Sequence, residues 1–163
     1  MVLRQLTNGI SYLHTRNIIH RDLKLENIMI SSPPEHMIIL ERDPEEWFRK
    51  CTLKIVDFGL SKELDEENGM TQTYAGSQLT MAPEIISQQQ YGLGADIYSL
   101  GAILFFLGSL RYPRTINVFE DLEQQFSKPL VFTEKCCLSQ AIKELILKTV
   151  SYTHLTLPTI YSV

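Results

Sequence analysis

Cysteine is scarce in this 163-residue sequence: Cys51, Cys136 and Cys137 are all it has. The count is odd and carries no metal-ligand spacing. Cys136 and Cys137 are adjacent, so they could not hold one zinc without distant partners. Ordinary thiols in a reducing, intracellular setting fit them, which points to the cytoplasm and leaves the nucleus open. Long apolar runs are missing as well. The longest, Leu100 to Leu107, is broken by Gly101 and is too short to span a bilayer. The chain does not open on a basic stretch followed by an apolar one, so it shows no secretion-signal pattern. Nor is there an excess of positive charge: 15 Lys and Arg stand against 19 Asp and Glu, a net charge of -4. That balance gives no basic field for nucleic acid. Repeats and low-complexity tracts are absent too.

What remains is an ordinary composition for one domain with a real core, 44% hydrophobic and 21% charged. Val2, Leu3, Leu6, Ile10 and Leu13 recur at helical spacing, and Asn17 offers a left-handed stop. Ile18 and Ile19 then lead into a polar loop, His20 to Asn27. Ile28 to Ile30 and Leu53 to Val56 read as two short strands. About residues 31–52 between them form a stretch too long for a hairpin turn, which is expected to be a surface insertion. Ile38 to Leu40 or Trp47-Phe48 could fold back onto the body. Ser61 to Ala75 is polar and aperiodic, a long loop of the kind that carries function. Pro83 starts a short helix. Asp96 to about Leu107 is apolar on all sides, the mark of a central buried helix. Phe119 to Phe126 and Ser139 to Lys148 predict two more helices, with Ser139 as N-cap of the second. The expected fold class is mainly α, with one small β-strand pair carrying the chemistry.

Three strings stand in order along this frame. They are His20-Arg21-Asp22-Leu23-Lys24-Leu25-Glu26-Asn27, Asp57-Phe58-Gly59 and Ala82-Pro83-Glu84. Taken singly, Asp22 and Asp57 are compatible with loop caps, Asn27 with a turn and Lys24 with a solvated charge. Together and in register they resemble the catalytic loop, the magnesium motif and the activation-segment end of the eukaryotic protein kinase family. The resemblance covers about residues 1–149. It implies the C-terminal lobe of an α+β, two-lobed parent fold, acting as a serine/threonine kinase on protein Ser and Thr hydroxyls with ATP and Mg²⁺. Phosphoryl transfer needs a placed hydroxyl, magnesium on the phosphates, and positive charge where negative charge gathers. A carboxylate and an amide oxygen are hard ligands suited to that ion.

By the same resemblance, Asp57 and Asn27 bind magnesium, Asp22 accepts the substrate proton, and Lys24 steadies the transferred phosphate. Lys24 two residues after Asp22 is the serine/threonine form of the loop. Met29 would lie beneath the adenine. Glu26, in the same loop, either selects a basic substrate residue or is an exposed charge. His20 and Phe58 would stack as structure, and Asp96 would accept hydrogen bonds from the backbone near His20. Thr73 falls where many kinases are phosphorylated, with Arg21 as the guanidinium for that phosphate, although a plain loop threonine is the alternative. Ser77 matches a position that touches Asp22 and Lys24. Gln78 and Thr80 depart from the frequent Pro and aromatic residue of the substrate-docking loop, and Tyr98 replaces the usual Trp. Residues 76–101 look most like the calcium/calmodulin-type and autophagy-initiating kinases. A catalytically silent pseudokinase scaffold and a free-standing interaction module are the competing readings.

Two expectations concern what is not in these 163 residues. No Gly-rich loop, strand lysine or helix glutamate of the family's N-terminal lobe precedes the first helix. Residues 150–163 do not continue the family pattern either, because an Asp-Pro turn and an Arg for Glu84 are not there. Val150 to Thr159 instead resembles a translated sequencing adapter, the alternative being a divergent native tail. Glu84 is then expected to have lost its partner. The 163-residue chain, purified alone, should show no robust phosphotransfer from ATP in a radiometric assay, and sustained turnover would contradict this.

Overall fold

The computed structural model describes residues 2–32, 44–114, 126, 128–134, 136 and 138–150. Helix α1 (Val2–His14) presents Leu6, Ile10 and Leu13 to the core, as their spacing requires. Asn17 ends the turn beyond it in the left-handed region at φ 54°. Strand β1 (Ile18–Ile19) follows, then a 3₁₀ turn at Leu25–Asn27 and strand β2 (Ile28–Ser31). Helix α2 (Pro44–Lys50) precedes strand β3 (Thr52–Ile55), which pairs antiparallel with β2, Ile28 opposite Ile55. Strand β4 (Lys62–Glu63) pairs antiparallel with β1. Helices α3 (Pro83–Ile86), α4 (Gly94–Ser109) and α5 (Gln140–Val150) complete the order.

Helix α4 is the centre. Ala95, Tyr98, Ala102, Ile103 and Phe105 are buried along its length, and α1 and α5 both pack on it. It starts two residues earlier and ends two later than its apolar run, and Leu110 closes it at φ 55°. On α5, Ile142 N donates to Ser139 Oγ at 3.4 Å, so Ser139 does cap this helix. The helix runs through Val150, two residues past its expected end at Lys148, and Val150 is fully buried.

The insertion and the long loop both hold more structure than expected. Residues 44–50 of the insertion are helical, with Arg49 and Lys50 in the last turn and a Glu46–Lys50 pair at 4.0 Å. Gln5 on α1 fastens its exit: its amide donates to Cys51 O at 3.1 Å and accepts from Leu53 N at 2.8 Å. The start of the polar loop is strand β4, too short to show any period. Further on, Thr71 bridges to Tyr91 through both backbone hydrogen bonds. The Ile38–Leu40 part of the insertion, the helix expected over 119–126 apart from Phe126, Cys137 and the tail beyond Val150 lie outside the described residues.

Gly101 lets α4 and α5 touch. A Cβ there would collide with Thr149 Oγ1 and stand 2.8 Å from Val150 Cγ1. Gly101→Ala should therefore destabilise the chain by ~2 kcal/mol, read as a lower urea midpoint. An unchanged midpoint would contradict this helix contact.

Candidate active site

The loop between β1 and β2 is anchored from below. Asp96, fully buried on the first turn of α4, accepts from His20 N at 2.9 Å and from Arg21 N at 3.0 Å. A buried carboxylate needs such donors, and these fix the loop backbone just before Asp22. Arg21 sits in the left-handed region at φ 69° and Asp57 at φ 63°. Each such non-glycine conformation costs on the order of 1–3 kcal/mol and persists only where its surroundings impose it. Gly76 closes the other side at φ 116°, where any Cβ would meet the Arg21 carbonyl oxygen.

Asp22 is the focus. Lys24 Nζ donates to its Oδ2 at 2.7 Å, Ser77 Oγ to its Oδ1 at 2.7 Å and Asn27 Nδ2 to its Oδ2 at 3.2 Å. Lys24 also donates to Ser77 Oγ at 3.0 Å. Burial pushes the Asp22 carboxyl up. The hydrogen bonds from Lys24 and Ser77, the Lys24 charge and the Asn27 bond outweigh burial and hold it below the ordinary aspartate value. The Asp22 hydrogen bond, countered by burial and aided by the charges of Asp22, Glu26 and Asp57, holds the Lys24 ammonium above its own. The Asp57 charge contributes to that shift after those of Asp22 and Glu26.

Asp57 follows β3, and Val56 N before it donates to Asn27 O at 2.9 Å, so the two expected metal ligands come from adjoining backbone. Asp57 is exposed, and its Oδ1 accepts from Gly59 N at 3.3 Å. Asn27 is buried, with Nδ2 spent on Asp22 O at 2.9 Å and on Asp22 Oδ2. The amide oxygen is therefore the end left for a cation. This donor set, one carboxylate and one amide oxygen, fits magnesium completed by phosphate and water. Among the described residues no group of three His, Cys, Asp or Glu side chains forms a metal cage. His20 and Phe58 meet edge to face at 5.0 Å, and His20 Nε2 donates to Val56 O at 3.1 Å, tying the loop to the Asp57 strand. Met29 is 54% exposed on β2 and Glu26 is exposed. Glu84 is buried and is not without a partner.

Among the described residues no hydrogen bond joins Arg21 to Thr73. Arg21 Nε donates to Leu60 O at 2.5 Å. Thr73 is exposed in a groove of about 620 Å³ that Lys62, Met70, Thr71, Gln72, Tyr74, Gln88 and Gln90 also line. Lys62 supplies the positive charge there, and its Nζ donates to Thr71 Oγ1 at 3.1 Å. Lys62 was hidden in sequence because a lone loop lysine carries no pattern. His14 was missed too: its Nε2 lies 2.9 Å from Asp96 Oδ2, although 82 positions separate them.

A family model described as protein kinase domain matches residues 1–160. The chain is 37% identical over 130 residues to serine/threonine-protein kinase 33 of Mus musculus, which covers 78% of this chain and 25% of that one. It is 42% identical over 115 residues to serine/threonine-protein kinase ATG1c of Arabidopsis thaliana, covering 71% and 14%. Calcium-dependent protein kinase 6 of Plasmodium berghei (strain Anka) is 34% identical over 123 residues, covering 76% and 7%. The chain thus spans 7 to 25% of the length of these curated relatives.

Lys24 lowers the Asp22 pKa, so removing it should leave burial in greater control. Lys24→Ala should move the Asp22 carboxyl titration to higher pH in a carbon-detected NMR experiment. In the wild type that carboxyl should titrate below the ordinary aspartate value. The stability it contributes is present above that ordinary value and is lost as pH falls through the depressed one. A wild-type titration above the ordinary value, or none of the expected shift in the variant, would contradict this assignment.

Proposed function

This chain belongs to the protein kinase family, and on that premise we propose that it supplies the catalytic loop and metal face of a serine/threonine protein kinase. The observation that carries the proposal is Asp22, kept ionised between Lys24 and Ser77 and braced by Asn27. In this reading Asp22 orients the substrate Ser or Thr hydroxyl and takes its proton as that oxygen bonds to the γ-phosphorus of ATP, the bond from that phosphorus to the bridging oxygen breaks, and ADP leaves. Lys24 balances the charge gathering on the transferred phosphoryl group. Asp57 and the Asn27 oxygen would hold magnesium, which supplies charge neutralisation along the phosphates. Met29 offers an apolar floor to the adenine, and Glu26 a carboxylate to a basic substrate residue.

Residues 1–149 belong to the C-terminal lobe of a two-lobed domain in this account, Val150 closes α5 in its core, and the residues after it are foreign to it. The glycine loop and lysine that cover the phosphates belong to the N-terminal lobe. Protein Ser and Thr residues are the substrates, nucleic acid is not a partner, and the setting is intracellular. Regulation runs through Thr73. A phosphate there meets Lys62 in the shared groove, with Arg21 as a second cation once the loop reorders.

Two substitutions in the full-length protein test these roles. Asp22→Asn should lower kcat by about 10²-fold or more with the KM for ATP little changed. Wild-type turnover by that variant would remove Asp22 from the mechanism, and no turnover by the unsubstituted full-length protein would favour a scaffold of the pseudokinase type. Thr73→Ala should lower kcat/KM for a peptide substrate several-fold and abolish its dependence on prior phosphorylation, whereas full activity would remove Thr73 from the mechanism.

A further inference from the structure

We propose that Thr80 is a positioning residue for Asp22, acting through Ser77; only its kinetic consequence rests on the kinase reading above. Ser77 stands between the two charged groups of the site, its Oγ donating to Asp22 Oδ1 at 2.7 Å and accepting from Lys24 Nζ at 3.0 Å. A serine side chain turns about a single bond, so its hydroxyl is only as fixed as the backbone beneath it. That backbone is tied three residues further on. The Ser77 carbonyl oxygen accepts from Thr80 N at 3.0 Å and from Thr80 Oγ1 at 3.3 Å. Thr80 is 2% exposed, and its own carbonyl accepts from Ser99 Oγ of α4 at 2.8 Å. Ala95 O, at 3.1 Å, is the more distant acceptor of the Ser99 hydroxyl. Two side-chain hydroxyls thus lead from the central helix to the residue that grips Asp22.

The residue type decides this. A hydroxyl one carbon from the backbone reaches a carbonyl three residues back. The aromatic residue frequent at this place in the docking loop carries no polar atom so near its Cα and cannot make that bond. A buried hydroxyl needs an acceptor, and among the described residues Ser77 O is the one that Thr80 Oγ1 meets. Without the hydroxyl, Ser77 O keeps the Thr80 amide alone, the turn loosens, and Ser77 Oγ spends less time on Asp22. Burial raises the Asp22 carboxyl, and the Ser77 bond, after that of Lys24, lowers it, so the loss registers at Asp22 itself. A threonine that merely fills the core could become valine with no consequence there.

The test compares Thr80→Val, which keeps the branched shape and loses the donor, with Thr80→Ser, which keeps the donor. In the full-length protein the Asp22 carboxyl should titrate at higher pH in the Val variant and return towards wild type in the Ser variant. Protection of the amide at position 80 should fall about fivefold in the Val variant and recover with Ser. kcat should fall about fivefold with Val, the KM for ATP unchanged, and be restored by Ser. A Val variant that matches wild type in titration or in protection, or a Ser variant that restores neither, would overturn the proposal. Where the Val variant does not fold, three-bond couplings to the Thr80 methyl of the wild type decide. They should place Oγ1 towards Ser77 O, and a methyl in that position would overturn it. Absence of phosphotransfer in the wild type would count against the kinase reading alone, because titration, exchange and couplings judge Thr80 without it.

Discussion

One buried carboxylate holds the working part of this molecule in place. Asp96 has no exposure, stands at the start of the central helix, and receives two backbone amides from the loop that carries Asp22. Burying a charge is costly unless donors replace its water, so the loop and the helix specify each other. The apolar character of α4 is the complement to this. Its Tyr98, Ile103 and Phe105 bury it among α1, α5 and their neighbours, and that rigidity makes Asp96 a fixed point.

From that point the geometry spreads outward in short steps. The anchored backbone forces Arg21 into a left-handed conformation, and Gly76 passes close beneath it because it has no side chain. This brings Ser77 to Asp22 from a segment 55 residues away. Asn27 spends its nitrogen on Asp22 and touches the Asp57 strand through its backbone oxygen. The hydrogen bond to Asp22, with the charges of Asp22, Glu26 and Asp57 behind it, holds the Lys24 proton against burial. At Asp22 burial raises the carboxyl, and the bonds from Lys24 and Ser77, the Lys24 charge and the Asn27 bond bring it down. The ring contact between His20 and Phe58 closes the circuit between the two aspartate-bearing segments.

Much of this was legible in the sequence, for identifiable reasons. The roles offered for Asp22, Asn27 and Asp57 came from the resemblance of their two strings to the kinase catalytic loop and magnesium motif. Helices α1 and α4 were legible from apolar period, long enough in each to outweigh local noise. The helix at Pro44–Lys50 escaped because a helix of about two turns within a polar stretch shows little period. Strands β1 and β4 escaped because two residues cannot alternate. The His14 bond to Asp96 and the place of Lys62 beside Thr73 arise only from tertiary packing, and nothing local announces either.

The central claim is that Asn27 and Asp57 present one metal face beside Asp22. Binding Mn²⁺ with a nucleotide to the full-length protein, and following paramagnetic broadening of its amide signals, tests this directly. The account predicts that Asn27, Asp57 and their immediate neighbours broaden first, while α5 (Gln140–Val150) stays sharp. Broadening centred elsewhere, or sparing either Asn27 or Asp57, would contradict it.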